Sequence, residues 1–331
     1  MNRSTLRSIA GAALALSGAA LLGLGATVAH AAATLPADNN LYAIGCADTN
    51  DFQLYEVSST GELTAIGDGS GSDDFYDCVP QAAWDWSTGL AYFSWDGDLY
   101  SMDVATGDST LVAALTGDFA ETTVNIAIGR NGESYAIDDC KIATINLTNG
   151  ATQYLSGYET NCDGGFYYFD PFAYNATNDT YYTINVDNTE DDTPPIDNMI
   201  YPVNTSTGVV FGTTGSVLTG ANFTLDDDLI DSYRTMSFDS NGVGWLIWDN
   251  GTLGALYSVD VATGNLTSEG VVADGGTYKE VQSTFLKSPT PPALADTGID
   301  TSGLGTLAGF GAVLMVGSAL LFALRRRALN V

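Results

Sequence analysis

The sequence predicts an all-β chain folded as a five-bladed β-propeller, and three observations carry that expectation. One phrase recurs five times: Leu54–Thr64 (LYEVSSTGELT), Leu99–Thr110 (LYSMDVATGDST), Ile142–Gln153 (IATINLTNGATQ), Ile200–Phe211 (IYPVNTSTGVVF) and Leu256–Thr267 (LYSVDVATGNLT). Each copy is a strand of period two, a tight turn closing on a glycine, then a second short strand. Those glycines, Gly61, Gly107, Gly150, Gly208 and Gly264, lie 46, 43, 58 and 56 residues apart. That is the repeat of a four-stranded blade, a unit that cannot bury its faces alone. Lastly, the N-terminal blade lacks its innermost strand while a single strand is left over at the C-terminus. The two complete each other.

Taken in order, the first blade comprises Leu41–Gly45, Phe52–Val57 and Leu63–Gly67. The second has Gln81–Trp86, Leu90–Trp95, Leu99–Val104 and Ser109–Leu115, and the third Val124–Gly129, Ser134–Ile137, Ile142–Leu147 and Thr152–Leu155. The fourth is expected over Pro171–Asn175, Tyr181–Val186, Ile200–Val203 and Val209–Gly212, with Pro202 an awkward resident of a strand. Arg234–Asp239, Gly244–Trp248, Ala255–Val261 and Leu266–Val272 make the fifth. Tyr278–Leu286 then returns to the first blade, and closure removes the exposed sheet edges. Among the innermost strands, Trp84, Ile128, Tyr174 and Phe238 share one position and read as packing between blades. The small residues Ala83, Ala127, Ala173 and Ser237 precede them, as a crowded axis requires. Gln81, Asn125, Pro171 and Thr235, with Gln282 as a fifth candidate, form a mostly polar set expected at the channel mouth or hydrogen-bonded to buried water.

Both ends read as processing signals. Residues 1–31 carry Arg3 and Arg7, an apolar run from Ile9 to Val28, and Ala29-His30-Ala31 as a small-x-small cleavage site. Leu304–Leu324 is an apolar run of 21 residues, long enough to cross a bilayer, and Arg325, Arg326 and Arg327 would hold its far end in the cytoplasm. Before it, beyond a proline-rich spacer over 287–293, stands Leu294-Ala295-Asp296-Thr297-Gly298. Pentapeptide, apolar helix and basic tail in that order resemble the cell-wall sorting signal of Gram-positive surface proteins, LPxTG. With alanine for proline the signal looks like the LAxTG variant used by the class E sortases of actinobacteria. The resemblance implies cleavage between Thr297 and Gly298 and covalent attachment of Thr297 to peptidoglycan. The repeated phrase is likewise similar to that of secreted bacterial propellers. It lacks the tryptophan that follows the turn in quinoprotein-type repeats, so no quinone cofactor is implied.

The formal net charge is −30. Removing the two ends takes five of the ten basic residues and one acid, Asp300, which leaves −34. Nucleic acid is thereby excluded as a partner, since phosphate binding needs clustered Lys and Arg. The only histidine, His30, leaves with the leader. The mature chain then has no Ser–His or Cys–His dyad and no imidazole for a catalytic zinc.

In an up-and-down propeller the loops between second and third strands and those between blades open on one face, here termed upper. Four cysteines fall there in matching positions of the first and third blades. Repeat symmetry selects Cys46–Cys78 and Cys140–Cys162 from the three possible connectivities, and an exported chain permits disulfides. The upper face also carries the acidic insertions of the fourth blade. Asp187, Asp191, Asp192, Asp226, Asp227 and Asp228 supply the oxygens that a Ca²⁺ site would need, and no EF-hand string accompanies them. Three functions fit. The first is a wall-anchored, non-enzymatic propeller that binds a glycan or protein ligand. The others are a glycoside hydrolase, whose chemistry needs only two carboxylates, and an acidic coat protein.

Overall fold

The computed structural model describes residues 33–46, 52–71, 81–138, 141–155, 167–187, 199–208, 215–220, 233–249 and 253–289. They form five sheets. The first blade contributes β1 (Asn40–Cys46), β2 (Phe52–Val57) and β3 (Leu63–Gly71). The second is β4 (Ala83–Asp85), β5 (Leu90–Trp95), β6 (Asp98–Met102) and β7 (Ser109–Ala114). After the two-residue β8 (Thr116–Gly117), the third has β9 (Asn125–Ile128), β10 (Ser134–Asp138), β11 (Lys141–Ile145) and β12 (Ala151–Tyr154). The fourth has β13 (Tyr167–Asn175), β14 (Thr180–Asp187), β15 (Met199–Val203) and β16 (Ser216–Val217). Following β17 (Thr219–Gly220), the fifth has β18 (Tyr233–Phe238), β19 (Gly244–Asp249), β20 (Gly254–Asp260) and β21 (Asn265–Asp274). The short β22 (Thr277–Tyr278) folds back on β21, and β23 (Glu280–Lys287) ends the ring.

The strand order β23-β1-β2-β3 closes the propeller, because β23 pairs antiparallel with β1 from Asn40↔Lys287 to Cys46↔Glu280. The packing follows the ring. Five apolar clusters lie between blades, one to each interface: Trp84 with Tyr42, Phe119 with Ile126, Ile142 with Tyr201, Ile184 with Met236, and Trp245 with Leu41 belong to successive ones. Trp84, Ile128, Tyr174 and Phe238 each enter a different cluster. The expected outer strand Val209–Gly212 lies outside the described residues, and β16 is the outer strand seen. Among the described residues it pairs with Met199 and Ile200, and Pro202, in β15 opposite Tyr182 of β14, lies outside those two pairs.

The recurring glycine is explained by contact between blades. In four copies its N–H donates to the carbonyl of Asp or Asn four residues earlier, at Asp103, Asn146, Asn204 and Asp260. Those side chains also cap the turn: Asn146 Oδ1 accepts from the Thr148 N–H at 2.9 Å and Asp260 Oδ1 from the Ala262 N–H at 3.0 Å. In the first blade Ser58 serves, only three residues before Gly61, which accounts for that copy being one residue shorter. Three of the glycine carbonyls then receive the chain that leaves the preceding blade. Thr116, Thr219 and Ala273 N–H groups donate to Gly150, Gly264 and Gly61 at 2.9, 3.0 and 3.2 Å. β8 and β17 are these latches, parallel to the outer strand of the next blade.

Tyr181 shows what burial does to the ionisable groups. Its ring meets Tyr174 at 4.8 Å and Tyr135 at 5.0 Å, and its hydroxyl donates to the Glu133 carbonyl at 3.0 Å. Burial first, then neighbouring negative groups, push that hydroxyl well above the ordinary 10.0. Tyr42, Tyr55, Tyr174, Tyr201 and Tyr257 are raised as well, chiefly by burial. A raised tyrosine pKa means the folded state prefers the neutral form. The associated stability is complete below 10.0 and is lost as pH climbs above it. Alkaline titration should therefore release tyrosinate absorbance and lose circular dichroism together. Full tyrosine ionisation with the sheet signal intact would contradict this.

Candidate functional site

Two cavities bear on function. The first is the axis. The innermost strands all run from the upper face to the lower one, where the hairpin turns lie. Near the strand starts a buried polar network seals the channel. Gln81 Oε1 accepts from the Thr235 hydroxyl and from the Met236 N–H at 3.1 Å. Gln81 Nε2 donates to the Ala82 carbonyl at 3.0 Å and to the Thr284 carbonyl. Thr235 has one hydroxyl proton, and Gln81 takes it, so the 2.7 Å bond to Thr284 Oγ1 must be donated by Thr284. The Thr284 N–H adds a further bond to Thr235 Oγ1 at 2.6 Å. Asn125 Oδ1 accepts from the Gln81 N–H at 2.7 Å, tying in the third blade.

Below this plug the axial cavity measures about 40 Å³ and is lined by Ala83, Ala127, Ala173, Trp84, Tyr174, Phe238 and their neighbours. It has room for a few waters. Ligand pockets run from about 300 to 1,000 Å³, and no carboxylate lines this one. At its lower end Trp86 lies edge-on to Tyr174 at 6.2 Å. Arg130 Nε donates to the Tyr174 hydroxyl at 2.9 Å, and that hydroxyl donates to Asp179. Trp86 Nε1 donates to the Ser288 carbonyl at 3.2 Å, so the chain leaves the propeller at the lower mouth of the axis.

The second cavity is a groove of about 690 Å³ between the second and third blades. The turn between β4 and β5 (Asp85, Ser87, Thr88), the start of β10 and the hairpin of β11 and β12 (Thr144 to Gln153) line it, and it opens on the lower face. Asp85 is its one carboxylate and is only 4 % exposed. It accepts from the Ser87 N–H at 2.8 Å, the Ser87 hydroxyl at 3.0 Å and the Thr88 hydroxyl at 2.9 Å, and so acts as a turn cap. No lysine or arginine lines the groove. Nothing in the sequence marks it, because Ser and Thr in capped turns are common and the cavity exists only when two blades meet.

Of the residues expected at the channel mouth, Gln81 and Thr235 are buried inside the plug and Asn125 is half-buried beside it. Gln282 lies in β23, where the ladder slips between Ile44↔Ser283 and Gly45↔Val281, leaving Gln282 as the extra residue. Ser283 and Thr284 supply the axial partners: the Ser283 hydroxyl accepts from the Ala82 N–H at 2.8 Å. Asp187 ends β14, while Asp191, Asp192 and Asp226–Asp228 lie outside the described residues. Among the described residues no group of three or more His, Cys, Asp or Glu side chains converges as a metal would need. Cys78, Cys140, Cys162 and residues 294–298 are also outside them, as are 1–31 and 304–324; Cys46 is the last residue of β1.

No family model matches the sequence, and no curated protein matches it. Solved structures do. TolB from Acinetobacter baumannii is 12 % identical, over 78 % of this chain and 68 % of its own, with a TM-score of 0.42. A protein from Lactobacillus plantarum is 13 % identical over 74 % and 70 %, at 0.39. The Dos1 propeller is 9 % identical over 70 % and 61 %, at 0.34. Each likeness is one of architecture, and the five blades of this chain rest on the sheets and interfaces described above.

Proposed function

We propose that the chain is an exported surface protein, joined to the cell wall through Thr297, whose propeller serves as a binding module. The observation that supports this most directly is the exit point. Ser288, held against Trp86 at the lower axial mouth, is nine residues from Thr297. Fully extended, that stretch spans about 30 Å. Attachment there turns the lower face toward the wall and presents the upper face, with its long acidic loops, outward. Long loops on a rigid scaffold are the usual place for binding. The glycosidase alternative needs two carboxylates about 5–10 Å apart, and the two cavities described offer one, Asp85, already committed to its turn.

The test is fractionation. Thr297→Ala should move the protein from the fraction released by wall digestion to the membrane fraction, where the apolar segment 304–324 would retain it. If variant and wild type are released alike by wall digestion, attachment through Thr297 is wrong.

A further inference from the structure

We infer that the groove between the second and third blades is a binding site for a neutral saccharide. The argument is one of charge and of hydrogen-bond direction. Four hydroxyls exposed along the groove, those of Ser87, Thr88, Thr144 and Thr148, have already placed their single protons inside the protein. Ser87 and Thr88 donate to Asp85, Thr148 donates to Asn146 Oδ1 at 2.6 Å, and Thr144 to the Gln153 carbonyl at 3.4 Å. A hydroxyl has one proton and two lone pairs, so each of the four offers only acceptors to a ligand. The Asn146 and Gln153 side-chain amides on the same lining add N–H donors, so the groove suits a molecule that carries several hydroxyls, each able to donate and to accept.

Charge narrows the class. The chain carries −30 overall, and no cation lines the groove. An anionic ligand would meet repulsion without a partner. The one carboxylate is only 4 % exposed and points into its own Ser87 and Thr88 turn, so it is not presented to a cation in the groove. A polyol needs neither charge. Buried Tyr92 and Ile145 supply an apolar floor for the C–H face of a sugar ring, the usual division of labour in a pocket of a few hundred Å³. The walls are capped turns and strands, so the acceptors are placed before the ligand arrives, which lowers the ordering cost of binding. Given the wall attachment proposed above, on which this last point alone rests, the groove faces the wall, and the neutral amino-sugar strand lies within the reach of the spacer.

The experiment titrates the full chain, in a detergent without sugar, with chitotetraose and maltotetraose as neutral probes, polygalacturonate as anionic and spermidine as cationic. Saturable binding of a neutral probe, weakened about fivefold for each wall acceptor removed in Thr144→Ala and Thr148→Val, with a single cooperative melting transition retained, is the expected result. Failure of both neutral probes to bind overturns the inference. So does neutral binding that survives the double variant, which would place the sugar on another face, and so does polygalacturonate or spermidine binding at least as tightly. Fractionation of Thr297→Ala reads attachment separately, so either idea can fail without the other.

Discussion

Removal of residues 280–287 should abolish the cooperative unfolding transition altogether. β23 is the innermost strand of the first blade, and its side chains enter two interfaces at once. Phe285 is 1 % exposed and stacks on Tyr42 at 5.3 Å in the cluster shared with the second blade. Val281 and Leu286 lie in the cluster shared with the fifth. Burying three such side chains contributes about 5–9 kcal/mol, comparable with the 5–15 kcal/mol that holds a whole domain together. The deletion also strands Gln81 and Thr235, whose hydrogen bonds run to Thr284, and opens the inner edge of β1. Phe285→Ala offers a graded version: a cost of about 3–5 kcal/mol should lower the melting temperature by roughly 10 °C in a domain of this size. Calorimetry of both variants checks this. A deletion variant that melts at the same midpoint as wild type would mean that the ring does not depend on its last strand.

How much of this is legible in the sequence follows the range of each signal. Strands such as Leu90–Trp95 and Ser109–Ala114 are short apolar-rich runs bounded by glycine turns, and they are readable within a residue. The closing strand is readable too, because its pairing is forced by a count of strands rather than by local propensity. β8, β17 and β22 are not. Two residues carry no periodicity, and these segments extend only where a neighbouring strand or blade presents a carbonyl. The axial network shows the same limit more finely. Sequence register selects Gln282, but a bulge in β23 takes one residue out of the ladder and hands the contacts to Ser283 and Thr284. Gln81 and Thr235 do belong to one polar set, yet whether a polar residue rims a channel or plugs it depends on how far five strands converge. The candidate groove is invisible for a related reason: its acceptor character depends on where hydroxyl protons go, which is settled by capped turns in two different blades.

The repeat glycines should prove highly sensitive single positions, and the reason can be separated into two parts. Gly61, Gly107, Gly150 and Gly264 all have φ between 68° and 88°, a region in which any L side chain costs about 1–2 kcal/mol. Each also faces the main chain of the preceding blade. A Cβ on Gly61 would lie 2.5 Å from the Val271 carbonyl oxygen, and one on Gly107 2.9 Å from that of Ile66. On Gly150 and Gly264 it would meet the Ala114 and Val217 carbonyls. Those carbonyls belong to strand backbones and cannot rotate away, so relief requires the blades to part and the latch between them to stretch. Forced overpacking of this kind costs about 1–3 kcal/mol more. Gly132 supplies the control: its φ is 85°, yet a methyl group added there would meet nothing within 4 Å. Gly132→Ala should therefore lose only the conformational part. Gly150→Ala and Gly264→Ala should lose both, about 2–5 kcal/mol each, and hydrogen exchange should quicken at Thr116 or Thr219, the donors of the affected latch. Equal destabilisation of Gly132→Ala and Gly150→Ala would show that the repeat keeps its glycine for the turn alone and not for the approach of the neighbouring blade.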